Sequence, residues 1–361
     1  MQSTWIAQVS CLLAAGSALQ DPPPAAATTA AVDARWVVYE GAAGPGRGKH
    51  VVLVAGDEEY RSEEALPQLG RILAQHHGFR STVLFAQDPK TGLIDPEERE
   101  HIPGLEALDS ADLLVLFTRF RRLPDEDMRH IVDYVESGKP VLGIRTATHA
   151  FAYDKDSKSP YARWSWDSTE WPGGFGRQVL GETWVSHYGQ HGSESTRGVI
   201  RESAREHPIL RGVEDVWGTT DVYGIRELPK DAVVLLEGSV LSGMEPASKP
   251  VEDGRNAPRM PITWVREREL EGGRKQRVIG TTIGASIDLR SHDLRRLLVN
   301  ACYWGMGLED KIGPASRADV VGKFEPTTFG FGTHVRGVRP ADLAWSVKMP
   351  EEEAGEPRQP R

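Results

Sequence analysis

The sequence predicts an α/β fold in which a mostly parallel central sheet carries helices on both faces. Three observations predict it. The run HVVLVAG (50–56) is apolar and β-branched throughout, as in a strand buried on both sides. Segments of helical period alternate with such runs. The resulting order (strand, helix, strand, strand, helix, strand) demands right-handed crossovers between parallel neighbours.

Each element has a local cause. After the first strand, LPQLGRILAQHHG puts Leu66, Leu69, Ile72 and Leu73 on one helical face, with Pro67 in the first turn and Gly78 as the stop. STVLFA (81–86) and ADLLVLFT (111–118) are two further strands. LPDEDMRHIVDYVESGKP is a helix opened by Pro124. Asp125, Glu126 and Asp127 sit at its positive end, Met128, Ile131, Val132 and Val135 share one face, and Gly138 closes it. A strand over 140–144 follows. Sheets of this kind bind ligands beyond the carboxyl ends of their strands, which places GDEEY (56–60), TRF (118–120) and RTATH (145–149) on one rim.

From 152 to 206 the periodicity gives way to a Trp- and His-rich insertion, too long for a simple connection and therefore a binding loop or lid by expectation. AVVLLEGSV (232–240) reads as a strand, MPITWVRE (260–267) and QRVIGTTIG (276–284) as a hairpin, and SHDLRRLLVNACYWGMG (291–307) as a closing helix. The main domain is thus expected over 35–310. Residues 311–361 form an extension in which FEPTTFGFG packs back and EEEAGEPRQPR is disordered.

The 361 residues are 39% hydrophobic, enough for a large core, and the formal net charge is −9. No basic stripe outweighs the acids, which argues against nucleic acid or an anionic membrane as partner and for a small neutral or cationic ligand. Residues 5–19 are apolar but too short to span a bilayer, and DPPPAAATTAAVDA follows them. Residues 1–34 are therefore expected to be an export signal and linker, delivering the protein to the periplasm or beyond; a cytoplasmic leader is the alternative, since no Lys or Arg precedes the apolar run. Cleavage would leave Cys302 alone, excluding a disulfide within the chain, and its place in an amphipathic helix makes it a small hydrophobe.

Strand 50–56, the helix leading to KPVLGIRTATHAF, EHPILRGV followed by DVYG, and RVIGTTIG ahead of a helix ending YWGMG together resemble the ThuA-like family, named for trehalose utilisation. The resemblance covers about residues 48–310. It implies a flavodoxin-like, three-layer fold related to the class I glutamine amidotransferases, and a role in carbohydrate metabolism. In those amidotransferases the bend after this strand reads Gly-Ile-Cys, with the cysteine as nucleophile; the matching residues here are Gly143, Ile144 and Arg145. Arginine, always protonated, cannot attack a carbonyl. It can present a fork of donors to a carboxylate, phosphate or sugar oxygen, or form an internal ion pair with Asp57 or Glu58.

The candidate site follows from that rim. Asp57, Glu58, Glu59 and Tyr60 offer paired carboxylates and an aromatic, able to serve as acid and base, to bind a sugar, or only to face a helix end. His149 projects from the side of Arg145 and Thr146 if the segment is helical, and either shuttles protons or is bonded to backbone. His187 is carried from the family, His191 by proximity. Their spacing of four suits a zinc pair, but Gly189 and Gly192 indicate a loop and no Glu adjoins the first His, so no metal is expected. Asp221 and Tyr223 occupy positions where the family tends to have an acid and an aromatic; Asp221 orients a histidine or caps a turn. Where the family has a Gly-His-Asp-like element this chain has Gly284, no His, and an offset Asp288. Trp164, Trp166, Trp171 and Trp184 either stack on sugars or pin the insertion.

The catalytic set is therefore His149, His187 and Asp57. The binding set is Arg145, Glu58, Tyr60, Thr146, His191, Asp221 and Tyr223. The ligand is a carbohydrate, a keto-sugar among the choices, and no cofactor is called for. A non-catalytic module binding sugar or protein on the same rim is the rival reading, with metal-dependent hydrolysis third. A homo-oligomer is compatible with the sequence.

Overall fold

The computed structural model describes residues 1, 35–41 and 43–346. The expected leader, Met1 apart, and the tail from 351 lie outside them. The elements are β1 (Val37–Tyr39), β2 (His50–Gly56), α1 (Ser62–His77), β3 (Arg80–Phe85), β4 (Leu113–Thr118), α2 (Asp125–Glu136), β5 (Val141–Ile144), β6 (Ser195–Ile200), β7 (Val216–Gly218), β8 (Ala232–Leu241), β9 (Met260–Glu269), β10 (Lys275–Thr281) and α3 (His292–Gly305).

They form one sheet in the order β1-β3-β2-β4-β5-β10-β9-β8-β6-β7. The sheet is mixed, which corrects the mostly parallel expectation. β3-β2-β4-β5-β10 run parallel, whereas β1 on one edge and β9, β8, β6 and β7 on the other pair antiparallel. The reason is the connections: the strands that form between β5 and β10, β6 to β9, have no α-helix among them to carry a parallel crossover, so they pair antiparallel, and β10 alone returns to lie parallel to β5. The anticipated hairpin is β9–β10, with Glu269 paired to Lys275.

β2 shows how the core is divided. Val51, Leu53 and Ala55 pack with Leu66, Leu69 and Ile72 of α1 and Leu294 and Leu298 of α3. Val52 and Val54 point the other way, towards Met128, Ile131 and Val135 of α2. Alternate residues of one strand thus fill two cores, one on each face. α1 ends on Gly78 in the left-handed region, φ 77°. It begins at Ser62, so Pro67 lies inside the helix rather than in its first turn; Glu63 and Glu64 occupy that turn, at the positive end of the dipole. α3 is capped by Ser291, whose Oγ accepts from Leu294 N at 3.3 Å. Cys302 is buried within it, and burial pushes its thiol up to about 12, leaving it inert.

The insertion is not structureless, for β6 lies inside it. Trp164 stacks on Phe175 at 6.0 Å and packs against Trp171 at 5.2 Å, so these two indoles anchor the loop. The extension beyond 310 runs back across α1: Ile312, Ala318 and Val321 are buried, and Thr327 donates from both N and Oγ1 to the Glu64 carboxylate at 2.8 and 2.7 Å.

Candidate functional site

Among the described residues, three other than glycine have left-handed backbone: Arg61 (φ 60°), Phe120 (φ 53°) and Arg145 (φ 46°). They lie just beyond the carboxyl ends of β2, β4 and β5. Such conformations cost on the order of 1–3 kcal/mol each and persist only where surroundings enforce them, as at binding and catalytic sites. Strain is concentrated on the rim.

The first layer of that rim is buried. Arg145 is 0% exposed. Its Nη1 donates to the carbonyls of Asp221 and Thr282 (2.7 and 2.5 Å) and its Nη2 to Tyr60 Oη and Asp221 Oδ1 (3.2 and 2.9 Å). The guanidinium lies between the rings of Tyr223 and Tyr60, 3.7 and 4.5 Å from their centroids. Its ion-pair partner is Asp221, not Asp57 or Glu58. Asp57 Oδ1 accepts from Glu59 N at 2.8 Å and from Tyr60 N, and its Oδ2 accepts from the Thr146 hydroxyl. Asp57 and Thr146 thus shape the turn after β2. Glu58 is enclosed by Arg121 and Arg119 at 2.7 and 2.5 Å, with Arg99 at 3.5 Å. His149, 2% exposed, sits among Phe120, Trp184 and Tyr223 at 5.0, 5.6 and 6.2 Å. Burial, then the charges of Arg119 and Arg145, hold it far below its ordinary pKa, so it is neutral. Asp288 accepts from the backbone of Thr220, Gly284 and Ala285, a structural role.

A second layer meets solvent. The side chains of His187 and His191 are 37% and 34% exposed, and both rings lean on Asp221. His187 Nδ1 is 2.8 Å from Asp221 Oδ2, and His191 Nδ1 is 3.2 Å from Oδ1. The insertion is brought here by backbone: Tyr188 and Gly189 donate to the Val222 carbonyl at 2.8 and 3.0 Å. Burial alone would push Asp221 up, but Arg145 and the two histidine bonds outweigh it and hold the carboxyl well below the usual range. Asp221 is therefore an acceptor only. Both Nδ1 atoms must carry hydrogen, which leaves the Nε2 lone pair of a neutral His187 free.

His191 Nε2 lies 3.3 Å from Glu59 Oε1. With hydrogen on Nδ1, the Nε2 lone pair of a neutral His191 would face a carboxylate oxygen, and a proton placed between the two would bond them. Glu59 suits the arrangement, since burial raises its pKa against the pull of Arg119. The third acid of DEEY, buried like the other two, is thus the one aimed at His191, and nothing in the sequence distinguishes it from its neighbours. The rim segment TRF supplies Arg119 and Phe120, and the returning FEPTTFGFG supplies Phe329, without the sequence marking those residues within them. Phe329 of the extension packs on Tyr60 and His191 at 5.4 and 5.2 Å, while Trp184 reaches His187 at 6.0 Å.

His187, His191 and Asp221 offer ligand atoms within 4.8 Å of one another, close enough for an ion to gather. Such an ion would share Asp221 with Arg145, whose charge already neutralises that carboxylate.

A family model described as ThuA, trehalose utilisation, matches residues 51–305. The chain belongs to the ThuA family. Among solved structures it is similar to a putative ThuA-like protein from Parabacteroides merdae ATCC 43184, at 16% identity and a TM-score of 0.45, covering 82% of this chain and 99% of that one. It is also similar to a putative ThuA-like protein from Bacteroides uniformis ATCC 8492, at 16% identity and a TM-score of 0.42, over 74% and 95% of the two chains. No curated protein matches it. Within the ThuA domain fall the rim, the insertion and Asp221; Phe329 and its neighbours lie beyond it. No helix among the described residues is long and apolar enough to cross a membrane.

Proposed function

We propose that this ThuA protein acts on a saccharide or keto-saccharide by acid–base chemistry, with His187 as base and the Glu59–His191 pair as acid. One observation carries the reading: of the polar cluster at the strand ends, the two histidines that reach solvent are both oriented by a single carboxylate that Arg145 keeps ionised. His187 Nε2 removes a proton from a sugar hydroxyl or from carbon beside a keto group. The proton shared by His191 and Glu59 goes to the oxygen that gains charge. With one proton on the Glu59–His191 pair and none on His187 Nε2, the two groups start in complementary states.

His149 and Asp57 then serve behind this centre, the first as a neutral wall beneath Trp184 and the second as the pin of the DEEY turn. Glutaminase chemistry is excluded at the bend by the same reasoning, since Arg145 is no nucleophile and both its terminal nitrogens are engaged. The parallel strands β3-β2-β4-β5-β10, flanked by α1 and α3 on one face and α2 on the other, support extending the kinship to the flavodoxin-like, three-layer amidotransferase fold. The sugar comes from the family's description. Export by the apolar leader belongs to the same proposal, and cell fractionation of the full-length protein tests it.

Turnover of saccharide and keto-saccharide panels across pH, in wild type and His187→Ala, tests the function. Turnover in wild type that the variant loses is the expected result. Saccharide binding without turnover in wild type would instead make the protein a binding module.

A further inference from the structure

Two consecutive residues of the extension meet the two halves of the acid pair. Gly330 N donates to the Glu59 carbonyl at 2.7 Å, and the Phe329 ring lies 5.2 Å from the His191 ring. Gly330 is held on its other side as well, for Arg61 donates to its carbonyl and, at 3.2 Å, to Thr333 Oγ1. Arg61 is fully buried, with left-handed backbone just after the acids. Residues 59 and 61 therefore grip Gly330 at both its N–H and its C=O. The family match ends at residue 305, so this stretch is an addition to the ThuA domain that is bonded into its rim.

Phe329 closes a triangle of rings. It packs on Tyr60 at 5.4 Å and on His191 at 5.2 Å, while Tyr60 and His191 meet edge to face at 6.1 Å. Tyr60 belongs to the turn that carries Glu59, and His191 to the insertion. The backbone of the insertion has anchors of its own: Tyr188 and Gly189 bond Val222, and Glu194, held by Arg255, accepts from Gln190 N at 2.7 Å. Those bonds fix where the His191 side chain starts, but not how its ring turns about its side-chain bonds. The ring is about one-third exposed, so only the groups packed beside it limit that turning. A hydrogen bond weakens steeply as it is bent, and the Glu59–His191 contact already spans 3.3 Å, so a small swing of the imidazole would break it.

We propose that Phe329, from the chain beyond the ThuA domain, is a positioning residue: its ring holds the His191 imidazole in line with Glu59, so that the acid of the site is complete only with the extension in place. The proposal rests on the acid–base reading of the site and adds what fixes its acid.

Diethyl pyrocarbonate acylates an imidazole nitrogen that offers a lone pair, and so reads the pair without any substrate. Rates at His187 and His191 of the full chain are followed by peptide mass spectrometry, with His187 Nε2 as the internal standard. In wild type His191 should react more slowly than His187. Phe329→Ala should speed His191 about tenfold, the worth of one hydrogen bond to a charged group, and leave His187 as it was. On the saccharide of the panel that wild type turns over fastest, kcat should fall by a similar factor at unchanged KM. Phe329→Leu, which restores apolar bulk, should recover both. Phe324→Ala removes another phenylalanine of the extension that packs on the same core, and should leave both unchanged. Glu59→Leu, with Phe329 in place, should free His191 as far as Phe329→Ala does. The proposal is overturned if His191 stays slow in Phe329→Ala, if both histidines speed up together there, or if His191 stays slow in Glu59→Leu, which would make the ring a mere cover. Equal rates at the two histidines in wild type would remove the acid pair and the proposal with it. The expected rates in a wild type that turns nothing over would remove the catalytic reading and leave the positioning role standing.

Discussion

Two layers of polar side chains meet at the strand ends, and they hold the same kinds of group in opposite circumstances. Beneath lie Arg145, Asp57, Glu58 and His149, all but closed to water. Above lie His187 and His191, each about one-third exposed, with Glu59 beside them. In the lower layer every charge is answered inside the protein: Arg145 by Asp221, Glu58 by Arg121 and Arg119, Asp57 by backbone amides and Thr146. In the upper layer His187 Nε2 has no hydrogen-bond partner among the described residues. Asp221 joins the two, facing Arg145 with one side and the histidines with the other. The lower layer buries charge so that the upper can keep a reactive group in one tautomer.

If that division is right, substitutions below should cost stability and those above should cost turnover. The largest effect belongs to Arg145→Met. Removing one member of a buried pair leaves Asp221 uncompensated, at a cost of about 3–5 kcal/mol, to be read from urea denaturation. Full stability in this variant would break the contrast. His187→Ala should do the reverse. A fall in kcat of roughly 10²–10⁴ is expected, with a loss of stability of only about 1 kcal/mol for the bond to Asp221, measured side by side on one preparation.

Glu59→Gln sharpens the upper layer. Because the Glu59–His191 proton is needed on the enzyme, activity should fall as pH rises and that proton leaves. An amide cannot supply it, so the variant should lose roughly a hundredfold in kcat and lose the alkaline limb of its pH profile. An unchanged profile would assign the acid elsewhere.

The smallest effect tests whether a buried histidine far from the site behaves like the lower layer. His77 bonds Tyr303 Oη and the Arg317 carbonyl at 2.9 and 2.7 Å, and burial lowers its pKa to about 4. The unfolded chain then binds a proton that the folded one refuses between about pH 6.5 and 4, so stability is lost as pH falls through that window. The loss is about 1 kcal/mol by pH 6 and about 2 kcal/mol by pH 5. Thermal melts of His77→Gln should show a flatter dependence over the same range.

Much of the scaffold was legible before any coordinates. The uniform apolar run of β2, the acid-to-apolar pattern of α2 and the Ser291 start of α3 each record burial among residues two to four apart, and each element stands within a few residues of its expected limits. The rim was legible as well, because strand ends follow from strands. Which of its groups face solvent was not. DEEY carries three acids in a row, all buried, and only the conformation of the turn aims the third at His191 while giving the first to backbone amides and the second to arginines.

The sequence by itself determined that a buried sheet would deliver acids, an arginine and histidines to one edge, and that the bend at Arg145 could not be a nucleophile. Only tertiary structure decided that Arg145 pairs with Asp221, 76 residues away, and that Arg61 draws in Gly330 from 269 residues away. Periodicity is a property of near neighbours along one element. Ion pairs and ring contacts are set by where separate elements stop, and that distance is fixed only when the whole core packs.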